Sequence, residues 1–112
     1  KVGAVIIQPL FALNTQAAAR LAVLAERRRV PVITNYAHFP RSGGLISYRP
    51  PADFSRQATA RYVDRILTGA KAGDLPVEQP TTFELVVNLK TAKALGLIFP
   101  SAVLARADEP IE

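Results

Sequence analysis

The stretch Asp74–Leu97, DLPVEQPTTFELVVNLKTAKALGL, constrains the fold more than any other part of the sequence. Pro76 and Pro80 lack a backbone N–H and fix φ, so residues 74–80 run extended and outside any helix. Phe83, Leu85, Val87 and Leu89 then alternate with Glu84, Val86, Asn88 and Lys90. That period of two predicts a strand near 83–89, with one apolar row on a core and Val86 adding cover on the other face. Asn88 or Thr91 can accept from the free amides of a following helical turn. Gly96 can adopt the left-handed conformation that closes that turn.

The rest of the chain fits a parallel α/β sheet around this strand. Val2–Ile7 (VGAVII) is a continuous β-branched run, the pattern of a strand buried on both faces. A helix capped by Asn14 or Thr15 is expected to run to about Arg29, its apolar stripe formed by Ala17, Leu21 and Leu24 beside Ala18, Ala22 and Ala25. Arg27, Arg28 and Arg29 fall in its last turn, where cations suit the helix dipole, and read as a solvated helix end. A second strand at 31–34 completes a strand–helix–strand crossover. Gly43-Gly44 permits a tight turn into a third strand at 45–48. Arg49-Pro50-Pro51 breaks the chain, and Asp53 or Ser55 caps a helix reaching about Ala70. Its apolar strips are Phe54, Ala58, Tyr62, Ile66 and Ala60, Val63, Leu67, Ala70. After Gly96 a short helical stretch runs through about Arg106. Residues 108–112 read as a tail. The fold class is therefore α/β, a Rossmann-like parallel sheet flanked by helices.

Composition narrows the function. A chain of 112 residues with 49% hydrophobic content suits one core. No stretch has the charged, apolar and small-residue succession of a signal peptide, and no apolar run reaches the roughly 18 residues of a membrane span. The net charge of +5 and pI of 10.1 come from Lys and Arg spread along the chain without aromatic interleaving. Nucleic acid is therefore not an expected partner. There is no cysteine, no nucleophile elbow, no phosphate-cradling loop and no dinucleotide fingerprint. His38 is the only histidine. It has no companion at metal-ligand spacing, so no catalytic residue, metal or cofactor is expected.

A binding module remains. Ligands of open parallel sheets sit outside the strand carboxyl ends. Three loops qualify: one with Pro9, Leu10 and Phe11, one with Asn35, Tyr36 and Phe39, and one with Tyr48 and Arg49 followed by Asp53. Phe11, Asn35, Tyr36, Tyr48, Arg49 and Asp53 are the candidate ligand-binding residues. They offer aromatic faces, an amide, a guanidinium and a carboxylate, a set suited to a small zwitterion. The plainer alternative makes Phe11 and Phe39 core residues, Arg49 solvated and Asp53 only a helix cap.

Two runs carry a family resemblance. Ile66–Leu97 and the segment Ser42-Gly43-Gly44-Leu45-Ile46-Ser47-Tyr48 resemble the C-terminal signature of ABC transporter substrate-binding proteins, of the kind that take up aromatic amino acids. The resemblance implies the C-terminal lobe of a two-lobed, type I periplasmic binding protein, with residues 52–72 crossing to an N-terminal lobe. It also implies a small ligand such as an amino acid held between the lobes, an ABC permease as partner, and a periplasmic location with a signal peptide upstream. Arg49 stands where that family carries a glycine. The alternative is the effector-sensing domain of a Lac-repressor-type regulator, which shares the fold. The helix near 53–70 is expected to lack its packing partner in this chain, and self-association through it follows.

Overall fold

The computed structural model describes residues 3–8 and 15–112. The described chain divides into two compact units. One holds the residues up to Arg49 together with Glu84–Glu112, and the other is Pro50–Phe83.

The first unit is built on a five-stranded sheet of order β1-β2-β3-β4-β5. Its strands are β1 (Val5–Ile7), β2 (Val32–Thr34), β3 (Ile46–Arg49), β4 (Glu84–Asn88) and β5 (Glu109–Ile111). β1, β2 and β3 are mutually parallel, and β4 is parallel to β5. β3 and β4 pair antiparallel, with Ile46 opposite Val87 and Arg49 opposite Glu84. The sheet is thus parallel except at one seam. The chain leaves the end of β3 into residues 50–83 and re-enters beside the same strand end. A return of that kind gives an antiparallel pair, because a parallel one needs a crossover along a face of the sheet. The carboxyl ends of β1–β3 consequently share an edge with the amino ends of β4 and β5.

Helix α1 (Thr15–Arg27) links β1 to β2. Ala18, Leu21, Ala22 and Ala25 face inward at i, i+3, i+4, i+7 spacing and pack with Val32 and Phe39, against Ile7 and Tyr36. Leu24, placed on the stripe from sequence, lies outside it and is 56% exposed. The expected Asn14 cap lies outside the described residues. The helix stops two residues earlier than its basic run suggested, because Arg29 turns left-handed at φ 51°. Val30 N–H then donates to Ala25 O and Arg29 N–H to Glu26 O, a Schellman closure. Glycine holds that conformation without Cβ strain, so Arg29→Gly is expected to raise stability by up to about 1 kcal/mol. Urea unfolding measures it, and an unchanged or lowered midpoint contradicts it.

The first strand departs from its expected environment. Val2 lies outside the described residues, and β1 is an edge strand rather than a strand covered on both faces. Among the described residues it pairs only with β2, and α1 covers the face carrying Ile7. Ile6, on the other face, is 73% exposed.

β4 is buried on both faces through Val86, Val87 and Asn88. The strand ends one residue earlier than its alternation suggested, because Asn88 caps α3 (Leu89–Leu95) by accepting from Thr91 N–H at 2.8 Å. The other end of the same amide donates to Pro40 O at 2.8 Å, so both polar atoms of this buried side chain are satisfied. Gly96, left-handed at φ 73°, closes α3 as expected. A short helix α4 (Ser101–Leu104) follows. The tail expected at 108–112 is instead β5. Asp108 anchors it, donating its N–H to Leu85 O and accepting from Leu85 N–H through Oδ2. Pro110 is accommodated because β5 is an edge strand.

The second unit consists of α2 (Ala52–Leu67), a 3₁₀ turn at Ala72–Asp74, and an extended strap. Tyr62 ties the strap to the helix: its hydroxyl donates to Pro76 O and accepts from Glu78 N–H at 3.0 Å. Arg61 pairs with Glu78 one residue along the helix. The hydrogen bond from Arg61 lowers the Glu78 pKa, burial opposes, and the Arg61 and Arg65 charges reinforce the lowering. A depressed carboxyl pKa stabilises above the unfolded value, and that contribution is lost as pH falls through the folded one. Acidification below the ordinary carboxylate range is therefore expected to release the strap, read as faster exchange of the Glu78 amide beyond the intrinsic pH trend. Glu78→Gln should abolish the pH step, and a step that survives it contradicts the assignment.

Candidate functional site

Four of the six candidate residues gather at the edge formed by the carboxyl ends of β2 and β3. Asn35 follows β2 directly and is exposed. Tyr36 is half-buried against the α1 cluster, and its ring meets His38 edge-on at 5.7 Å. Its position is fixed locally, since Tyr36 N–H donates to Thr34 Oγ1 at 3.1 Å. Tyr48 and Arg49 close β3 at the same edge. Register puts Tyr48 on the sheet face opposite the α1 cluster, half exposed, so the two tyrosines approach the edge from different faces.

Arg49, whose guanidinium read from sequence as a ligand group or else as a solvated cation, is ion-paired. Its guanidinium lies 2.7 Å from the Glu84 carboxylate, directly across the β3–β4 ladder. The edge thus carries both a cation and an anion held together. Glu84 read from sequence only as a polar member of the strand alternation. Its pairing with Arg49 needs the antiparallel seam, which local pattern does not announce.

Phe11 lies outside the described residues. Asp53 belongs to the other unit, in the first turn of α2, where it is exposed and ion-paired with Arg56 rather than capping the helix. Pro51 is the residue at the cap position.

Phe39, grouped with the second loop, is a core residue with no exposed surface. The segment after Tyr36 turns inward, and a 3₁₀ turn at Pro40–Ser42 carries the chain to the start of β3. Ser47 is also fully buried, and its hydroxyl finds no hydrogen-bond partner among the described residues. It lies in the register row Ile7, Thr34, Ser47, Val86, on the face that carries the α1 cluster.

A concavity of about 360 Å³ opens at the opposite edge of the sheet, lined by Glu26, Arg41, Asn88, Lys90, Thr91 and Glu112 among others. Of its polar groups, Arg41 pairs with Glu109 at 2.6 Å, Thr91 donates to Gly43 O, and the Asn88 amide is satisfied on both sides. Among the described residues no cluster of His, Cys, Asp and Glu is able to hold a metal ion, and no helix is long and apolar enough to cross a membrane.

Comparison with known proteins gives this edge a context. No curated protein matches the chain. Among solved structures, a conserved domain protein of Vibrio cholerae O1 biovar El Tor is similar at 29% identity and a TM-score of 0.77, over 94% of this chain and 36% of that one. The ABC domain from Streptococcus pneumoniae, solved in complex with L-Trp, is similar at 29% identity and a TM-score of 0.77, over 99% of this chain and 38% of that one. CD0873 of Clostridium difficile, a substrate binding protein in its ligand-free, open form, is similar at 21% identity and a TM-score of 0.64, over 96% and 36%, a likeness that speaks for the fold alone. The chain spans between 36% and 38% of the length of these structures. The family profile described as ABC transporter substrate binding protein matches residues 2–111. The chain belongs to the ABC transporter substrate binding protein family.

Proposed function

We propose that this chain is the C-terminal part of a solute-binding protein that holds a small amino-acid-like ligand and delivers it to an ABC permease outside the cytoplasm. Members of the family are substrate-binding proteins rather than enzymes. The observation that carries the ligand class is the likeness, over 99% of this chain, to a structure that holds L-Trp. The edge chemistry supports it. Tyr36 and Tyr48 offer aromatic surface, Asn35 an amide, and the Arg49–Glu84 pair both signs of charge for a zwitterion. On this reading Phe11 and Asp53 are further candidate contacts to the ligand.

The test is a calorimetric and fluorescence titration with L-tryptophan, with glycine and AMP as controls. Weak saturable binding of tryptophan is expected, with affinity reduced about tenfold in Tyr36→Ala. Equal binding of all three probes, or none at millimolar concentration, overturns the reading.

The proposal extends to self-association. Val63, Ile66 and Leu67 are exposed on α2 at i, i+3, i+4 spacing, and Leu67 is 81% exposed. Burying them between two copies is expected to give a concentration-dependent dimer in sedimentation, and Leu67→Lys should weaken it. A strict monomer at high concentration contradicts this.

A further inference from the structure

Helix α1 turns one stripe to the sheet and leaves the other to water. On the outer side Ala19 and Arg20 are exposed, and Val23 and Leu24 are about half exposed. Among the described residues these four line a shallow hollow of about 420 Å³ whose surface is almost wholly apolar. Arg20 therefore gives its methylene stem to the hollow and leaves its guanidinium at the rim.

The surroundings of the hollow are cationic. Arg27 follows Val23 by four residues and Leu24 by three, and so neighbours both on the helix surface. Arg28 and Arg29 close the same end. All four arginines are exposed, and none of them belongs to an ion pair among the described residues. Glu26 is the one carboxylate on α1. The helix dipole places roughly half a negative charge at this end, less than the three arginines there supply. Arg29 adds an independent sign. It holds the left-handed conformation at φ 51°, where glycine is unstrained, and non-glycine residues held so cluster at functional sites.

We propose that the outer face of α1, together with Arg28 and Arg29, docks an acidic segment of a partner protein whose apolar side chain enters the hollow. The excess of cations selects this occupant. A second copy would set arginine against arginine. A flat membrane surface would leave the hollow unfilled, and α1 has no aromatic side chain to anchor it in lipid. Guanidinium groups round an apolar hollow match carboxylates that flank an apolar anchor. The face shares no residue with the candidate ligand edge, so the inference goes beyond the ligand reading.

The test titrates the whole chain into a fluorescently labelled amphipathic helical peptide of Leu and Glu, with a Leu and Lys peptide as control. Saturable binding of the Glu peptide is expected, weakened by salt, with the Lys peptide at least about tenfold weaker. Arg20→Glu should weaken the binding about fivefold and Arg29→Gly about threefold. Arg29→Gly is expected to raise stability, so weaker binding by that variant is not a loss of folding. Equal binding of the two peptides, or none at millimolar concentration, overturns the proposal. So do unchanged affinities in both variants. Tighter binding to phosphatidylglycerol vesicles, lost in Arg20→Glu, assigns the face to a membrane and overturns it too. A dimer abolished by Leu24→Lys assigns it to a second copy, with the same effect. Failure of the tryptophan titration leaves every one of these readouts intact, so the two proposals fail separately.

Discussion

Replacing Gly44 with alanine is expected to remove a large part of the stability of the sheet-bearing unit, about 3 kcal/mol or more. A Cβ built there lies 2.1, 2.2 and 2.5 Å from Cε1, Cδ1 and Cζ of Phe39, distances no real methyl tolerates. The ring has no free direction in which to move, since Phe39 is fully buried between α1 and the sheet. Nor does the backbone yield easily. Gly44 N–H donates to Phe39 O at 2.9 Å, so glycine and ring belong to one hydrogen-bonded loop. Overpacking a core by one methyl costs about 1–3 kcal/mol where neighbours adjust, and this site belongs at or above the top of that range. Against a total of about 5–15 kcal/mol for a small domain, the effect is large. Chemical denaturation of Gly44→Ala measures it, and a loss under about 1 kcal/mol contradicts the contact.

The second large effect is expected from Phe39→Ala, at about 3–5 kcal/mol. Phe39 joins Ala18, Ala22 and Val32 in the one buried apolar cluster found on the α1 face among the described residues. Those neighbours are small and lie on regular elements, so they have little reach to fill the space the ring leaves. The two substitutions should also couple. With the ring gone, the Gly44→Ala methyl no longer meets it, so the double variant should be more stable than the sum of the two losses predicts. Strict additivity would show that the Gly44 effect comes from elsewhere.

Phe39 shows where sequence reading reached its limit. Its place in a loop after a strand left it open between a binding aromatic and a core residue, and the structure makes it core, because the loop folds inward and seats the ring beneath α1. Loop residues carry no period that separates core from surface. The strands and helices were legible because their apolar spacing is local. Asn88, Gly96 and the α1 stripe were readable for the same reason, each acting within one turn or one strand. The antiparallel seam, the strand at Glu109–Ile111 and the Arg49–Glu84 pair depend on partners far along the chain, and nothing near Pro110 or Arg49 signals them. The candidate edge was legible at Asn35, Tyr36, Tyr48 and Arg49, because the end of a parallel strand is visible in the pattern. Asp53 was placed by sequence nearness to Arg49, but a division of the chain falls between the two.

The central claim is that the ligand-facing surface of this chain is the edge at the carboxyl ends of β2 and β3. Backbone chemical-shift mapping during titration with L-tryptophan tests it most directly, since shifts report weak binding residue by residue. Saturable perturbations are predicted at Asn35, Tyr36, Tyr48 and Arg49, with the residues around the opposite concavity, Asn88, Lys90 and Thr91, left in place. Perturbations concentrated at Asn88, Lys90 and Thr91 instead, with Asn35 to Tyr36 and Tyr48 to Arg49 unmoved, would contradict it.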